Sequence, residues 1–444
     1  MRVTDGNPWA ERFEELLDPE AIKQRAVVRV LPLSNLYDMP TELACKLLKN
    51  ALEEVFYPTQ QCVSALCHLI GLAHAHCMVT YSDSKAFLGG VYGSKAPLPD
   101  FSFPVCLTGL AGVGKSKLLK AFNRLVGADR SIVVDSQHPA FPMQGAWSVS
   151  VHARSSPKDV LRALTGFDGK PEELVDTCRK TAFRNGIPLL LVDEFQFATG
   201  SGNANTRVTQ MLLSLGYIGI PYLFAANFSL LRRLQRRPEE ERQRLLSDPI
   251  VLLPDLWSSV DWQKTLEAQV EVAPEVLKFD PVRDARSLHA FSAGRKRAMT
   301  ELIILAFRIE HPRRGVVGFS ALQEAYHSTQ YAGYREESEA IAKQNILNQP
   351  DPKHMDLWCP IPLPLDAAAL FSRESTASRE AAVAESELKS ALSSKERNAL
   401  MHLEKLDTRK TAGKAGVVQI QRGKRQTGKE LLENAAKFRE NLTK

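Results

Sequence analysis

The chain has 444 residues, 44% of them apolar, and a formal net charge of +6, enough for two or three domains with ordinary globular cores and compatible with nucleic-acid contact without demanding it. Seven cysteines at positions 45, 62, 67, 77, 106, 178 and 359 show no framework spacing, which excludes a disulfide scaffold and points to reduced thiols in a cytoplasm. The opening Met-Arg-Val-Thr-Asp-Gly lacks the apolar stretch of a secretory signal, and no run of about 18 apolar residues suggests a membrane span, so a cytoplasmic protein without a membrane partner is expected.

Residues 1–100 read as a helical N-terminal region. Asn7-Pro8-Trp9 opens an amphipathic segment that runs to Leu17. Pro40-Thr41-Glu42 marks a helix start, and Leu43, Leu47, Leu48, Leu52 and Val55 recur at helical spacing. Another helix follows Pro58 and carries Cys62, Leu66, Leu69, Ile70 and Leu72. The same stretch holds Cys67, His68, His74, His76 and Cys77. It lacks the C-x₂-C pairs of a zinc ribbon or knuckle, so helix packing accounts for these residues better than a metal.

Residues 101–270 alternate strand and helix, which implies a parallel sheet with helices on both faces. The expected strands are 103–108, either 131–135 or 147–152, then 189–193, 222–226 and 248–254. Between the first strand and an amphipathic helix (Leu118, Leu119, Phe122, Leu125) lie Gly109, Leu110, Ala111, Gly112, Val113, Gly114, Lys115 and Ser116. They fit G-x-x-x-x-G-K-[ST] at every fixed position. Glycines let backbone N–H groups approach phosphates closely, and a helix N-terminus adds its dipole. With Lys117 these residues form the expected ATP-binding set. Lys115 would reach the β- and γ-phosphates and Ser116 would ligate Mg²⁺.

About 80 residues further on, Leu189-Leu-Leu-Val-Asp-Glu194 is an apolar strand ending in two acids. Ligands of open α/β sheets sit at that carboxyl end. Asp193 would hold Mg²⁺ through water, and Glu194 would orient and deprotonate the water attacking the γ-phosphate. Gly219-Ile-Pro-Tyr-Leu-Phe-Ala-Ala-Asn227 is a further buried strand. Its Asn227 either sits between the two acids and contacts the γ-phosphate or caps the helix that follows. Arg232-Arg-Leu-Gln-Arg-Arg237 and Glu239-Glu-Glu-Arg-Gln-Arg244 precede the last strand. An arginine has a fixed charge and a fork that fits phosphate oxygens. Arg242 and Arg244 stand just before the last strand, and the group otherwise reads as a solvated mixed-charge helix.

Residues 271–347 read as a helical lid, in which 288–308 carries an apolar helix and 319–341 makes one more. Ala293-Gly-Arg-Lys-Arg297 stands before an apolar run (Met299, Leu302, Ile303, Leu305, Phe307) and reads as a basic helix start. Residues 348–368 contain Pro350, Pro352, Pro360, Pro362 and Pro364 and read as an extended linker. The tail, 369–444, begins rich in Ala, Ser, Glu and Lys and helical in pattern, then turns Gly-, Lys- and Arg-rich over 408–429, a composition that is disordered when alone. From Met401 to Lys444 it carries eleven Lys/Arg against five Asp/Glu, a net +6 that equals the excess of the whole chain. It suits an acidic surface, a protein partner or mere solubility.

Phosphate loop, Asp-Glu strand, Asn strand, arginine-bearing helix and helical lid follow one another in the order of AAA+ ATPases. That resemblance implies an α/β fold with nucleotide at an interface between protomers, Asn227 and Arg297 as its two sensors, and Arg244 or Arg242 as an arginine finger. Within that class, Leu189-Leu-Leu-Val-Asp-Glu-Phe-Gln and Met211-Leu-Leu-Ser-Leu-Gly-Tyr-Ile-Gly-Ile-Pro-Tyr-Leu-Phe resemble the LLVIDE-x-Q … L-x-N-x-x-G-I-P layout of the TnsC/TniB regulators of DNA transposition, over residues 105–340. The aromatic segment with Leu256, Trp257 and Trp262 also falls in similar order. This resemblance implies Mg²⁺-dependent ATP hydrolysis and a homo-oligomeric ring or filament on double-stranded DNA. It also implies a link between a target-selection protein and a transposase, often through the C-terminal tail. Arg154, Lys158 and Arg162 fall where that family contacts the DNA backbone. One departure is Ala226-Asn227, where the family usually has Gly-Thr. The residues also leave open a signalling or antiviral-defence P-loop ATPase that senses a protein partner without DNA.

Overall fold

The computed structural model describes residues 6–152, 155–194 and 204–363. Arg154, the end of the Pro-rich stretch and the whole basic tail lie outside the described residues. The N-terminal helices are α1 (Pro8–Glu11), α2 (Pro19–Ala26), α3 (Thr41–Glu54), α4 (Gln60–Thr80) and α5 (Ser84–Tyr92). The central part runs β1 (Pro104–Gly109), α6 (Lys115–Val126), β2 (Arg130–Ile132), β3 (Phe141–Met143), β4 (Trp147–Ser150), α7 (Pro157–Thr165) and α8 (Pro171–Arg184). It continues through β5 (Leu190–Asp193), α9 (Ala204–Gly216), β6 (Tyr222–Ala226), α10 (Phe228–Gln235), α11 (Glu239–Leu245), β7 (Asp248–Leu252) and α12 (Val260–Val270). The lid follows as α13 (Ala285–Ser292), α14 (Lys296–Glu310), α15 (Phe319–His327) and α16 (Ala332–Leu347).

Five strands form one parallel sheet in the order β4-β5-β6-β1-β7. β1 and β6 are buried along their whole length, as a sheet covered on both faces requires. Of the two alternatives for the second strand, Trp147–Ser150 is in this sheet. Residues 130–132 pair antiparallel with β3 in a separate two-stranded sheet. Arg130 and Ser131 are exposed, and a doubly covered strand has no place for them. All-parallel pairing brings the ends of β1, β5 and β6 to one edge of the sheet, which places the phosphate loop beside the two acids and Asn227.

Two large apolar clusters hold the chain. One packs the sheet against α6–α10 and against α1, α2, α4 and α5, with Trp9, Phe87 and Phe183 fully buried. The other packs the lid against α3, through Leu48 and Leu52. The sequence reading that no segment suits a membrane needs amending: α4 is long and apolar enough to cross one by length and composition. Its Val63, Leu66, Leu69, Ile70 and Cys77 are buried in the first cluster, so its apolar length is explained by packing within the fold. Cys62 and Cys77 are buried, His68 contacts Asp248 at 2.7 Å, and burial, with Arg12 adding, pulls His76 down to about 4.

The lid is broken more often than its apolar periodicity suggests. The stretch 288–308 is two helices, α13 and the apolar α14 expected after Ala293-Gly-Arg-Lys-Arg297, because Ala293 and Gly294 both adopt left-handed backbone (φ 50° and 66°). That turn puts Arg295, Lys296 and Arg297 at the start of a fresh helix. The expected helix over 319–341 is also two. At the break, Ser328 accepts from the Tyr331 N–H, and the Tyr331 hydroxyl donates to Phe291 O and Ala298 O.

The Pro-rich stretch differs from the expected free linker over its described part. Prolines have no N–H and leave neighbouring carbonyls unpaired, and donors from the core and lid take these up. Arg232 on α10 donates to Met355 O and Trp358 O, both at 2.9 Å. Gln235 donates to Pro360 O, and Gln344 on α16 donates to His354 O. The segment is a strap running from lid to core. Leu357 and Cys359 pack on a small cluster formed by Leu110, Phe228, Ala293 and Ile341.

Candidate active site

A cleft of about 280 Å³ opens at the carboxyl edge of the sheet, beneath the lid. Its walls include Ala111, Gly112, Gly114, Lys115, Ser116 and Lys117 from the phosphate loop, Asp193 and Glu194 after β5, and Asn227 after β6. Lys296, Arg297 and Thr300 of α14 cover it. Residues spread over almost two hundred positions are therefore assembled in one place, and most of them were expected from motif alone.

The loop conformation explains its glycines. Gly112 has φ +81° and Gly114 φ +120°, both costly for a side chain-bearing residue. A Cβ on Gly112 would also stand 2.7 Å from Arg297 Cβ. Glycine thus permits the turn and lets the lid come down on it: the Arg297 N–H donates to Gly112 O at 3.1 Å.

Lys115 is 8% exposed, and its ammonium donates to Gly109 O (2.8 Å), Leu110 O (2.9 Å) and Asn227 Oδ1 (2.7 Å). Burial pulls it down to about 8 against the attraction of Asp193 and Glu194, and Arg297 adds to the drop. Of the two alternatives for Asn227, the side chain makes no cap hydrogen bond to α10 and serves the cleft instead. Asp193 accepts the Glu194 N–H through Oδ1 at 2.8 Å, while Glu194 takes left-handed backbone at φ 57°. A carboxylate held in this way, with the Ser116 hydroxyl in the same cleft, is a set of hard oxygen donors that fits Mg²⁺.

Three groups of expected residues are engaged otherwise than expected. Lys117 lines the cleft, but its ammonium donates to Val55 O (2.9 Å) and Leu52 O (3.4 Å) at the end of α3. Arg242 and Arg244 project from α11 away from this cleft. Each is ion-paired within its helix, to Glu239 and Glu240, and the Arg244 guanidinium lies over the Phe101 ring. Lys158 pairs with Asp168 and Arg162 with Asp159 on the surface of α7. Arg154 lies outside the described residues.

Other cleft residues escaped the motif reading. Lys120 lies one turn beyond Ser116 on α6, and Thr300 one turn beyond Arg297 on α14, so helical spacing from known site residues would have found both. Lys296 is half-buried and reaches Asp255 at 3.6 Å. Glu53 comes from α3, and only tertiary packing brings it there.

Sheet order, phosphate loop and helical lid together define a mixed α/β protein with the AAA+ P-loop fold. No family model matches the chain, and no curated protein sequence matches it. Among solved structures, the chain is similar to the ORC1 protein of Aeropyrum pernix in complex with DNA, at 16% identity and a TM-score of 0.35, over 60% of this chain and 66% of that one. It is similar to the ORC2 protein of the same organism in ADPNP–ADP complexes, at 15% identity and a TM-score of 0.38, over 63% and 72% of the two chains. Domain III of the Thermotoga maritima replication initiation protein DnaA matches at 16% identity and a TM-score of 0.33, over 55% and 88%. Similarities at these levels add nothing to the site, which rests on the chain's own residues.

Proposed function

We propose that this chain is an ATP-hydrolysing switch that assembles with copies of itself on duplex DNA and links a target-selection protein to a transposase. The observation that carries the ATPase part is the convergence of Lys115, Ser116, Asp193, Glu194, Asn227 and Arg297 in one cleft. In this reading Lys115 exchanges its carbonyl acceptors for β- and γ-phosphate oxygens. Asn227 and Arg297 fix the γ-phosphate, and Glu194 orients the attacking water and takes its proton. Ser116 and Asp193 would hold Mg²⁺, which when bound neutralises charge on the phosphates. The protein's share is positioning and charge stabilisation. An arginine of α11 from a neighbouring copy completes the site, so that ATP favours assembly and ADP loosens it.

The transposition part rests on the resemblance of residues 189–196 and 211–224 to the TnsC/TniB layout. The ion pairs of Lys158 and Arg162 favour the other reading, a signalling or defence ATPase that needs no DNA, because paired cations have less charge to offer phosphates. Electron microscopy of the protein with duplex DNA and a non-hydrolysable ATP analogue separates the two. Rings or filaments threaded on DNA are expected, and a particle indifferent to DNA would leave the signalling reading standing.

A further inference from the structure

A second, small void of about 20 Å³ lies beside the cleft. Its walls are Leu52, Val55, Phe56 and Tyr57 on the N-terminal side and Thr265 and Gln269 of α12 on the other. Lys117 and Lys296 line both spaces and stand between them. Gln269 is 5% exposed, and its Oε1 is a buried acceptor with no hydrogen-bond partner. Such a group is destabilising if it stays unpaired. The neighbouring donors are committed. Lys117 donates to Leu52 O and Val55 O, Lys296 reaches Asp255, and the Thr265 hydroxyl donates to Asp261 O.

A space with apolar walls and one orphan acceptor, separated from the phosphate cleft by two flexible lysine side chains, suits the edge of a flat, amino-bearing ring. We propose that Gln269 is the base-reading residue of the nucleotide site, its Oε1 accepting the exocyclic amino group of adenine. The inference rests on the reading of the cleft as an ATP site and adds which purine feature is recognised. As it stands the void takes about one water, because a water needs roughly 10–15 Å³ of such volume. A base enters only when the Lys117 and Lys296 side chains swing aside, which their flexible stems allow. The two ammonium groups also favour the carbonyl end of the Gln269 amide, rather than its NH₂, facing them.

The test is calorimetric binding of ATP and of purine riboside triphosphate, which lacks the 6-amino group, to the full chain. The wild type should bind ATP about tenfold or more the tighter, since a buried polar group left unpaired discriminates strongly. Gln269→Leu should bring the two affinities together. Gln269→Glu, which can only accept, should keep the preference and shows that loss in the leucine variant is not misfolding. Equal affinities in a wild-type protein that binds ATP, or an undiminished preference in Gln269→Leu, would overturn this assignment alone. Failure of the wild type to bind either nucleotide would overturn the ATP reading as well.

Discussion

The Lys115 ammonium donates to Asn227 Oδ1 at 2.7 Å, tying the phosphate loop to the end of the adjacent strand before any nucleotide arrives. The two residues are 112 positions apart, and parallel pairing of β1 with β6 makes them neighbours. The contact keeps a buried cation supplied with acceptors in a place where phosphates will later compete for it.

Because burial holds Lys115 down to about 8, ATP binding should be linked to proton uptake. The sign follows from the charge. Phosphate oxygens favour the ammonium and raise its titration point, so above pH 8 the free protein has lost a proton that the complex retains. Calorimetry in buffers of different ionisation heat should therefore find uptake at pH 8.5 and little at pH 7, with affinity falling as pH rises through 8. Lys115→Arg, whose charge is fixed, should take up none. Burial holds Lys117 down to about 8 as well, so Lys117→Met is the control, and uptake that persists in it belongs to Lys115. Uptake that vanishes with Lys117 would assign the proton to the wrong lysine.

Glu194→Gln should keep ATP binding and assembly on DNA while lowering turnover by about 10²- to 10⁴-fold, the usual worth of a positioned general base. The amide retains the shape and the left-handed backbone at residue 194 but cannot take the proton. Steady-state phosphate release measures it, and turnover within a few fold of wild type would remove Glu194 from the base role.

Residues that carry chemistry within a short motif were legible before the fold was seen. The loop over 109–116 and the Asp-Glu pair announce themselves because phosphate and metal binding demand particular residues at fixed spacing. The strand at Tyr222–Ala226 matched its expected span, since an unbroken apolar run admits few alternatives. Glu53 and Gln269 were invisible because nothing local marks them. Their place depends on how α3 and α12 pack against the lid, which is a tertiary matter. The break at Ser328 was missed for a related reason: apolar periodicity continues through it, and only hydrogen bonds reveal the turn.

If α7 faces the DNA backbone, Lys158→Ala with Arg162→Ala should weaken binding uniformly across sequences. It should also reduce the slope of log affinity against log salt by about 2, near 0.9 for each phosphate that is no longer neutralised. Both cations are ion-paired to exposed acids, and exposed pairs of this kind contribute little to stability, so the fold should be unaffected. A salt titration with an unchanged slope would place the DNA surface elsewhere.

Arg232 should matter for stability and not for phosphate chemistry. It belongs to the arginine group read as a solvated mixed-charge helix, yet its guanidinium fastens the strap through two carbonyls. Arg232→Ala should cost about 1–2 kcal/mol in urea unfolding, from two hydrogen bonds that are partly solvated. It should also make the chain after Asn348 more sensitive to protease. Loss of turnover with unchanged unfolding and proteolysis would contradict the strap.

The sharpest prediction concerns the arginines of α11. Arg244 and Arg242 line no part of their own cleft and are held by exposed, weak intrahelical pairs, which a stronger anion can displace. If Arg244 acts on a neighbour, damage to the two halves of the site separates in mixtures. Lys115→Ala has a dead cleft and a sound arginine, whereas Arg244→Ala has a sound cleft and no arginine to lend. Each alone should be nearly inactive, since an arginine finger contributes about 10³- to 10⁵-fold. Mixed in equal amounts under assembling conditions, they should recover measurable turnover at interfaces that pair one sound half with the other. An arginine working within its own chain gives no recovery at any ratio. Recovery with Arg242→Ala in place of Arg244→Ala would move the role one helical half-turn back along α11.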